Sequence, residues 1–249
     1  MNIFGHNFRL AIWGESHGQQ IGISIDGIPA GVPLSAEDFE TDLARRRSGA
    51  RGTTPRREPD IPQIVSGLYN GMTTGAPLTI EFANRDTHSQ DYANVMRHYR
   101  PSHADMVAYH KFNGFNDPRG GGHFSGRLTA PLVFAGALCK LWLKEQGVTV
   151  GSHIQSIAQI QDMPFDDVDI PVSQLDALRN AEYPVNNPRA LEAMLAAIEE
   201  AREEQDSVGG VIECAAVGLP AGIGSPMLDS VESRLSSILF GVPAVKGVE

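Results

Sequence analysis

Strand-like and helix-like segments alternate along the chain, and this alternation constrains the fold more than any other feature. Residues 22–26 read GISID, an alternation with the period of two that is typical of a strand with one buried face. Ser35 is a preferred helix-capping residue, acids follow it at Glu37 and Asp38, and arginines gather near the expected helix end at Gly49. We therefore expect a mixed α+β fold.

The pattern predicts elements in both halves of the chain. The expected strands are 8–13, 21–26, 64–68, 78–82, 148–160 and 208–217, and the expected helices are 35–49, a helix through Tyr109, 128–146, 189–204 and 229–240. The pentapeptides GIPAG (27–31) and GLPAG (218–222) each follow an expected strand. Two similar βα halves packed face to face would explain this echo.

Six arginines and no acid lie between Arg45 and Arg57, although the chain carries a formal net charge of -10. The planar guanidinium group binds phosphate or carboxylate bidentately. We therefore expect a focused site for a small, highly charged anion. A pI near 5.2 argues against general nucleic-acid binding, which usually needs a basic face.

Composition also bounds the compartment. The first residues, MNIFGHNFRL, do not have the basic and then apolar pattern of a signal peptide, and the most apolar stretch, 128–142, is short and contains Lys140. Two cysteines do not make a disulfide framework. We expect a cytoplasmic protein with no membrane partner.

Two histidines lie in motifs that suit proton transfer. His17 lies in GESHG (14–18), where flanking glycines let the chain bend and expose the imidazole, and His103 lies in RPSHAD (100–105), close to Arg100. Taken alone, His17 is equally consistent with a surface turn, and Ser102–His103 with a helix cap.

A glycine-rich loop, RGGGHFSGR (119–127), leads into the expected 128–146 helix. Free N–H groups at such a junction favour an anion. The loop matches neither the P-loop nor the dinucleotide-binding pattern. The histidine and cysteine spacings do not match a metal site, so we expect no metal, and GESHG does not fit a serine nucleophile elbow. The residues thus predict an enzyme that binds phosphate and carboxylate groups and uses histidine for proton transfer.

These motifs resemble those of the chorismate synthase family from one end of the chain to the other. The matching segments are GESHG (14–18), RRR (45–47), PRREPD (55–60), RPSHAD (100–105), RGGG (119–122), SGR (125–127), DSVGG (206–210), GLPAG (218–222) and AVKGVE (244–249).

The resemblance implies an anti-1,4 elimination of phosphate from 5-enolpyruvylshikimate 3-phosphate, giving chorismate for aromatic amino acid biosynthesis. It implies reduced FMN as a transient electron donor, with NADPH as a candidate reductant. It also implies a β-α-β sandwich, with helices between two sheets, and a homotetramer.

The resemblance also implies roles for individual residues. His17 would protonate the departing phosphate, and His103 would protonate the reduced flavin. The implied substrate- and nucleotide-binding residues are Ser16, Arg46, Arg51, Arg100 and Arg127. The implied flavin contacts are His123, Phe124, Ser125, Pro243 and Ala244.

The chain departs from the family pattern at several points. His123 stands where an arginine is common, Ser102 replaces a glycine, and Pro243 replaces a frequent asparagine. Family members continue past Glu249, so we expect residues 1–249 to be the N-terminal portion of a single family domain. We expect poor flavin binding and little turnover from this portion, which a flavin titration beside a C-terminally extended version would test.

Two alternatives remain open at this point. A flavin-independent phosphate lyase or transferase could use the same anion site, and activity that needs reduced FMN separates it from the first interpretation. A nucleotide- or RNA-binding module built on residues 45–57 predicts steep salt dependence and no effect of His17→Ala or His103→Ala.

Overall fold

The computed structural model describes residues 2–87 and 98–249. Ten strands are assigned in these residues: β1 Ile3–Gly5, β2 Arg9–Gly14, β3 Gln20–Asp26, β4 Gln63–Ser66, β5 Leu68–Tyr69, β6 Met72–Thr73, β7 Leu78–Ala83, β8 Thr149–Ile157, β9 Ile160–Gln161 and β10 Gly210–Val217. The helices there are α1 Glu40–Arg46, α2 Asp105–Lys111, α3 Thr129–Glu145, α4 Val172–Asn180, α5 Pro188–Glu203 and α6 Val231–Leu239. The fold is therefore mixed helix and sheet, as expected.

The chain divides into two compact units. The first unit comprises Met1–Arg47, Arg57–Ala137 and Gly224–Glu249, and the second comprises Ser48–Arg56 and Leu138–Ile223. Both candidate catalytic histidines fall in the first unit.

The first unit is built on a five-stranded antiparallel sheet with the order β1-β2-β3-β7-β4. Alternate residues of the neighbouring strands β3 and β7 are fully buried and lie directly opposite one another: Ile21 with Phe82, Ile23 with Ile80, and Ile25 with Leu78. Because side chains alternate between faces, a slip of one residue would expose all six, so this apolar face sets the register.

Aromatic packing joins the sheet to its helical cover. Phe134 of α3 stacks on Phe39, in the 3-10 turn before α1, with ring centroids 4.0 Å apart, and meets Phe82 of β7 edge-on at 6.4 Å. All three rings are fully buried. Each buried phenyl ring contributes roughly 1.5–3 kcal/mol to folding.

The second unit contains the antiparallel sheet β10-β8-β9 with α4 on one face. Gly151 of β8 makes room for α4, because a Cβ there would lie 2.9 Å from Leu175. Phe165, Leu175 and Leu178 form its apolar cluster. Helix α5 begins with an Asn187 cap, whose side chain accepts from the Arg189 N–H, and with Pro188 in the first turn.

The two echoing pentapeptides adopt similar local structures. Each follows a strand, and the first and last glycines of each have positive φ: 89° and 86° for Gly27 and Gly31, and 85° and 90° for Gly218 and Gly222. A Cβ on Gly27 or Gly218 would overlap a backbone carbonyl, of Asn7 and Gly147 respectively. The sequence echo therefore reflects the same backbone requirement in each unit.

Most expected elements are present with shifted ends, and two expectations are wrong in detail. The helix expected over 35–49 begins as a 3-10 turn, Ala36–Phe39, and ends at Arg46. The strand expected over 148–160 breaks at Ala158, whose φ of 51° turns the chain back so that β9 pairs with β8. The pair Ala158–Gln159 carries no turn signal in the sequence, and α4 was not anticipated either.

Among the helices of residues 2–87 and 98–249, none is both long and apolar enough to span a membrane.

Candidate active site

The glycine-rich loop packs closely against His17. Gly120, Gly121 and Gly122 have φ of 60°, 86° and 54°, conformations that other residues rarely adopt. A Cβ on Gly120 would overlap the His17 imidazole and lie 3.0 Å from the Ser16 hydroxyl oxygen. Glycine is therefore needed here for backbone conformation and for the approach of the histidine.

The neighbouring glycine faces the second histidine. A Cβ on Gly121 would lie 2.8 Å from Cε1 and 3.0 Å from Nε2 of His103, and 3.6 Å from an Arg100 guanidinium nitrogen. Consecutive glycines thus bring both predicted proton-transfer residues and one predicted anion-binding arginine to a single loop.

Backbone contacts join the His17 turn to the same loop. The Ser16 N–H donates to the Gly122 carbonyl at 3.0 Å, and His123 Nδ1 lies 2.9 Å from the Gly14 carbonyl oxygen. Ser16 is fully buried and His17 is 8% exposed. These contacts hold the imidazole at the loop without placing it in bulk solvent.

Asp105 organises Arg100 and His103. The Arg100 guanidinium donates to both carboxylate oxygens of Asp105 at 2.8 Å, and His103 Nδ1 lies 2.7 Å from Oδ1. The Arg100 side chain holds the pKa of Asp105 below its usual range, with the charge of His103 adding to the effect and burial opposing it. Because Nδ1 faces the carboxylate, Nε2 is the nitrogen presented to Gly121.

Asp60 binds two predicted ligand-binding arginines at once. Arg46 donates to its Oδ2 at 2.6 Å, and Arg127 forms a very short ion pair with Oδ1. Arg127 also donates to the Asn84 side-chain oxygen at 2.9 Å and to the Ala83 carbonyl at 3.3 Å. Burial lowers the pKa of Arg127, although the charge of Asp60 opposes the shift. In this structure Arg127 is therefore a buried structural cation, and its contact with a ligand stays a prediction.

Other arginines of the 45–57 cluster bind carboxylates in different places. Arg47 pairs bidentately with Glu40 at 2.9 and 3.1 Å. Arg51, in the second unit, pairs with Glu192 at 3.2 Å, and both side chains are more than half exposed. Arg46, Arg47 and Arg51 thus each pair with a different carboxylate, and the focused anion site stays a prediction. An anion bound at Arg46 or Arg51 would compete with these carboxylates.

The residues predicted to contact flavin lie in two places in the first unit. His123, Phe124 and Ser125 follow the glycines, and the exposed Phe124 ring lies 6.2 Å from that of Phe112. Ser125 caps the next turn, accepting from the Arg127 N–H at 3.2 Å. Pro243 and Ala244 lie in an exposed turn after α6, where Ala244 has φ of 71°. Their part in flavin binding stays a prediction.

Several organising residues were not singled out from the sequence. Asp60 and Asp105 are the last residues of the quoted segments PRREPD and RPSHAD, so an acid ending an arginine-containing motif was the available signal. Asn84 follows a strand and carried no signal. His153, in the second unit, is fully buried between Asp162 at 2.9 Å and Glu213 at 2.6 Å. Its partners are distant in sequence, so its environment could not be foreseen.

Within the described ranges, no three His, Cys, Asp or Glu side chains form a group that could hold a metal ion.

The comparisons with known proteins agree on one family. The family model described as chorismate synthase matches residues 8–249. The chain is 48% identical over its whole length to a chorismate synthase of Chitinophaga pinensis and covers 65% of that protein. It is 43% identical over 245 residues, or 98% of the chain, to a chorismate synthase of Thermococcus gammatolerans and covers 67% of that protein. A crystal structure of chorismate synthase aligns with 97% of this chain and with 67% of the crystallised chain, with a TM-score of 0.74 and 30% sequence identity.

The chain thus spans about two thirds of the length of these relatives. The family match covers all but the first seven residues, and identity is high over the same span. The chain belongs to the chorismate synthase family.

Proposed function

We propose that this chain provides the proton-transfer and anion-binding part of a chorismate synthase. The reaction is the anti-1,4 elimination of phosphate from 5-enolpyruvylshikimate 3-phosphate, which gives chorismate. The observation that carries the proposal is the convergence of His17, His103 and Arg100 on Gly120 and Gly121, in a chain whose family match runs from residue 8 to 249. Two imidazoles and a guanidinium at one loop suit protonation and binding of a departing phosphate.

The residues near the loop fit reduced FMN. Glycines at 120–122 leave the loop without side chains, the Phe124 ring is exposed, and the Arg100 side chain is 35% exposed. An aromatic ring with a phosphate group would find an apolar surface and a cation there. Phe124, His123, Ser125, Pro243 and Ala244 would hold the cofactor, which supplies an electron-rich ring that assists phosphate loss without net oxidation.

His17 donates a proton to the phosphate oxygen as the bond to the ring carbon breaks. The ring proton that the 1,4 elimination also removes would pass to a base that the bound cofactor supplies. Its near-complete burial limits competition from water. Arg100 would bind the anion by charge-assisted hydrogen bonds while Asp105 orients its guanidinium. His103 moves a proton at Nε2, because Asp105 occupies Nδ1.

Several finer features belong to the same proposal. We infer reduction of the flavin with NADPH as a candidate reductant, assembly into a homotetramer, and a cytoplasmic location, all from the family resemblance. A β-α-β sandwich of two related halves is also part of the proposal. It is supported by an antiparallel sheet in each unit and by the similar turns at 27–31 and 218–222.

An anaerobic assay of this chain and of its C-terminally extended version tests the proposal, because little turnover is expected from residues 1–249 alone. Phosphate release and chorismate absorbance are followed with 5-enolpyruvylshikimate 3-phosphate and chemically reduced FMN, oxidised FMN or no flavin. The proposal predicts both products with reduced FMN alone. Phosphate release without flavin would favour the flavin-independent lyase, and absence of chorismate under every condition would reject the activity.

A further inference from the structure

We propose that Asn84 is a positioning residue that fixes the turn carrying His17. The inference deepens the proposed function and rests on it, because it concerns the placement of the proton donor. Asn84 directly follows β7 and lies in the first unit, as does His17.

The side-chain amide of Asn84 spans the two ends of the His17 turn. Its Nδ2 donates to the Glu15 carbonyl at 3.1 Å and to the Gly18 carbonyl at 2.9 Å. The turn also closes on itself, since the Gly18 N–H donates to the Glu15 carbonyl at 3.0 Å. Both amide hydrogens of Asn84 are thus used on the backbone that flanks the imidazole.

Arg127 fixes the orientation of this amide. Its Nε donates to Asn84 Oδ1 at 2.9 Å, and a guanidinium can only donate. The amide oxygen must therefore face Arg127, and its nitrogen must face the turn. Arg127 is itself held by Asp60 and by the Ala83 carbonyl.

The backbone of Asn84 is fixed as well. Its N–H donates to the Gln19 carbonyl at 3.0 Å, just beyond the last β3–β7 pair, Gln20 with Ala83. The residue therefore joins the rigid end of the sheet to the turn through three hydrogen bonds.

Because His17 fits closely against Gly120, the position of the His17 turn affects the geometry of the site. The ring lies where a Cβ on Gly120 would overlap it, so a shift of the turn changes its distance to anything bound at the loop. Misplacement of a reacting group by about 1 Å can lower the rate about 100-fold.

Asn84→Asp is the sharpest test. Aspartate keeps the size of the side chain and an acceptor for Arg127, but it replaces the amide nitrogen, which carries both N–H donors, with an oxygen that repels the two carbonyls. Asn70→Asp is the matched control, because it makes the same charge change in an exposed turn of the first unit. We expect kcat for Asn84→Asp to fall about 100-fold, with KM for the substrate changed less than about threefold.

A double-mutant cycle separates positioning from general damage. In a His17→Gln background, Asn84→Asp should lower kcat by less than about threefold, because the residue that it positions is already gone. An undiminished loss in that background would overturn the proposal.

The ring ¹⁵N–¹H correlation of His17 gives a readout that needs no activity. It should shift in Asn84→Asp and match the wild-type protein in Asn70→Asp, with thermal unfolding confirming that both variants fold. A shifted His17 signal in a chain without turnover would support the positioning role and reject the proposed function. An unshifted signal, or equal kcat for the two variants in an active chain, would reject the positioning role alone.

Discussion

His103 Nδ1 lies 2.7 Å from the Asp105 carboxylate, and Nε2 lies on the side of the ring that faces Gly121. In the proposed reaction, this contact would leave Nε2 as the nitrogen that takes part in proton transfer. The same carboxylate orients Arg100, so one carboxylate aligns both the His103 imidazole and the Arg100 guanidinium.

Asp105→Asn should lower the turnover of the proposed reaction about 100-fold, because the amide neither selects the His103 tautomer nor pairs with Arg100. Imidazole ¹⁵N shifts of His103 should show a redistribution of the proton between Nδ1 and Nε2. Asp26→Asn, which removes an exposed partner of Arg9, is the control and should behave like the wild-type protein. Unchanged His103 shifts in Asp105→Asn would contradict the assigned tautomer.

Gly120→Ala should abolish activity, with a loss greater than about 100-fold, because the new methyl group displaces the His17 ring. The strained φ should also reduce the free energy of unfolding by about 1–3 kcal/mol. Gly126→Ala is the matched control in the same loop, since a Cβ there meets nothing within 4 Å. Similar activity for the two variants would show that the loop does not confine His17.

Asp60→Asn should reduce the free energy of unfolding by about 3–5 kcal/mol, because it leaves the buried Arg127 guanidinium without its counter-ion. Asparagine tolerates the positive φ of this position, 48°, so backbone strain does not confuse the result. Asp26→Asn breaks an exposed pair and should change stability by less than about 1 kcal/mol. Equal losses of unfolding free energy in Asp60→Asn and Asp26→Asn, measured by urea denaturation, would show that the buried Asp60 pair does not stabilise the fold.

Asp162 makes the stability of the folded chain depend on pH in the acidic range. Burial alone would raise its pKa, but hydrogen bonds from the backbone N–H groups of Asn186, Met163 and Asn187, and from His153, lower it overall. A carboxyl whose pKa is lower in the folded state stabilises the fold above its unfolded pKa, about 3.9. That contribution is lost as the pH falls through the folded pKa.

Asp162→Asn should therefore be less stable than the wild-type protein at neutral pH, and the difference should shrink below about pH 4. Denaturant unfolding between about pH 3 and pH 7 measures this difference. Asp176→Asn, on the exposed side of α4, should give no such trend. A difference in unfolding free energy that stays constant across the pH range would show that Asp162 does not cause the acid sensitivity.

The sequence predicted the parts of this structure that depend on local pattern. The alternation in GISID located β3, and its buried isoleucines confirm which face is apolar. The motifs around His17 and His103 identified residues that the glycine loop brings together.

Local pattern could not predict the partners supplied by distant segments. The Arg46–Asp60–Arg127 group joins three separate segments, and whether a guanidinium binds an anion or an internal carboxylate depends on that joining. The turn at Ala158 could not be predicted from the sequence either, because tertiary pairing of β8 with β9 imposes a φ of 51° on a residue that does not favour it.

If His17 and His103 act in one site, their combined removal from the C-terminally extended chain gives the sharpest comparison. Phosphate release from 5-enolpyruvylshikimate 3-phosphate with reduced FMN is measured anaerobically for the wild-type chain, His17→Ala, His103→Ala and the double variant. We expect a loss of about 100-fold or more in each single variant and a double loss far smaller than their product, because residues that act as a unit are not additive. Wild-type rates in either single variant, or fully multiplicative losses, would contradict it.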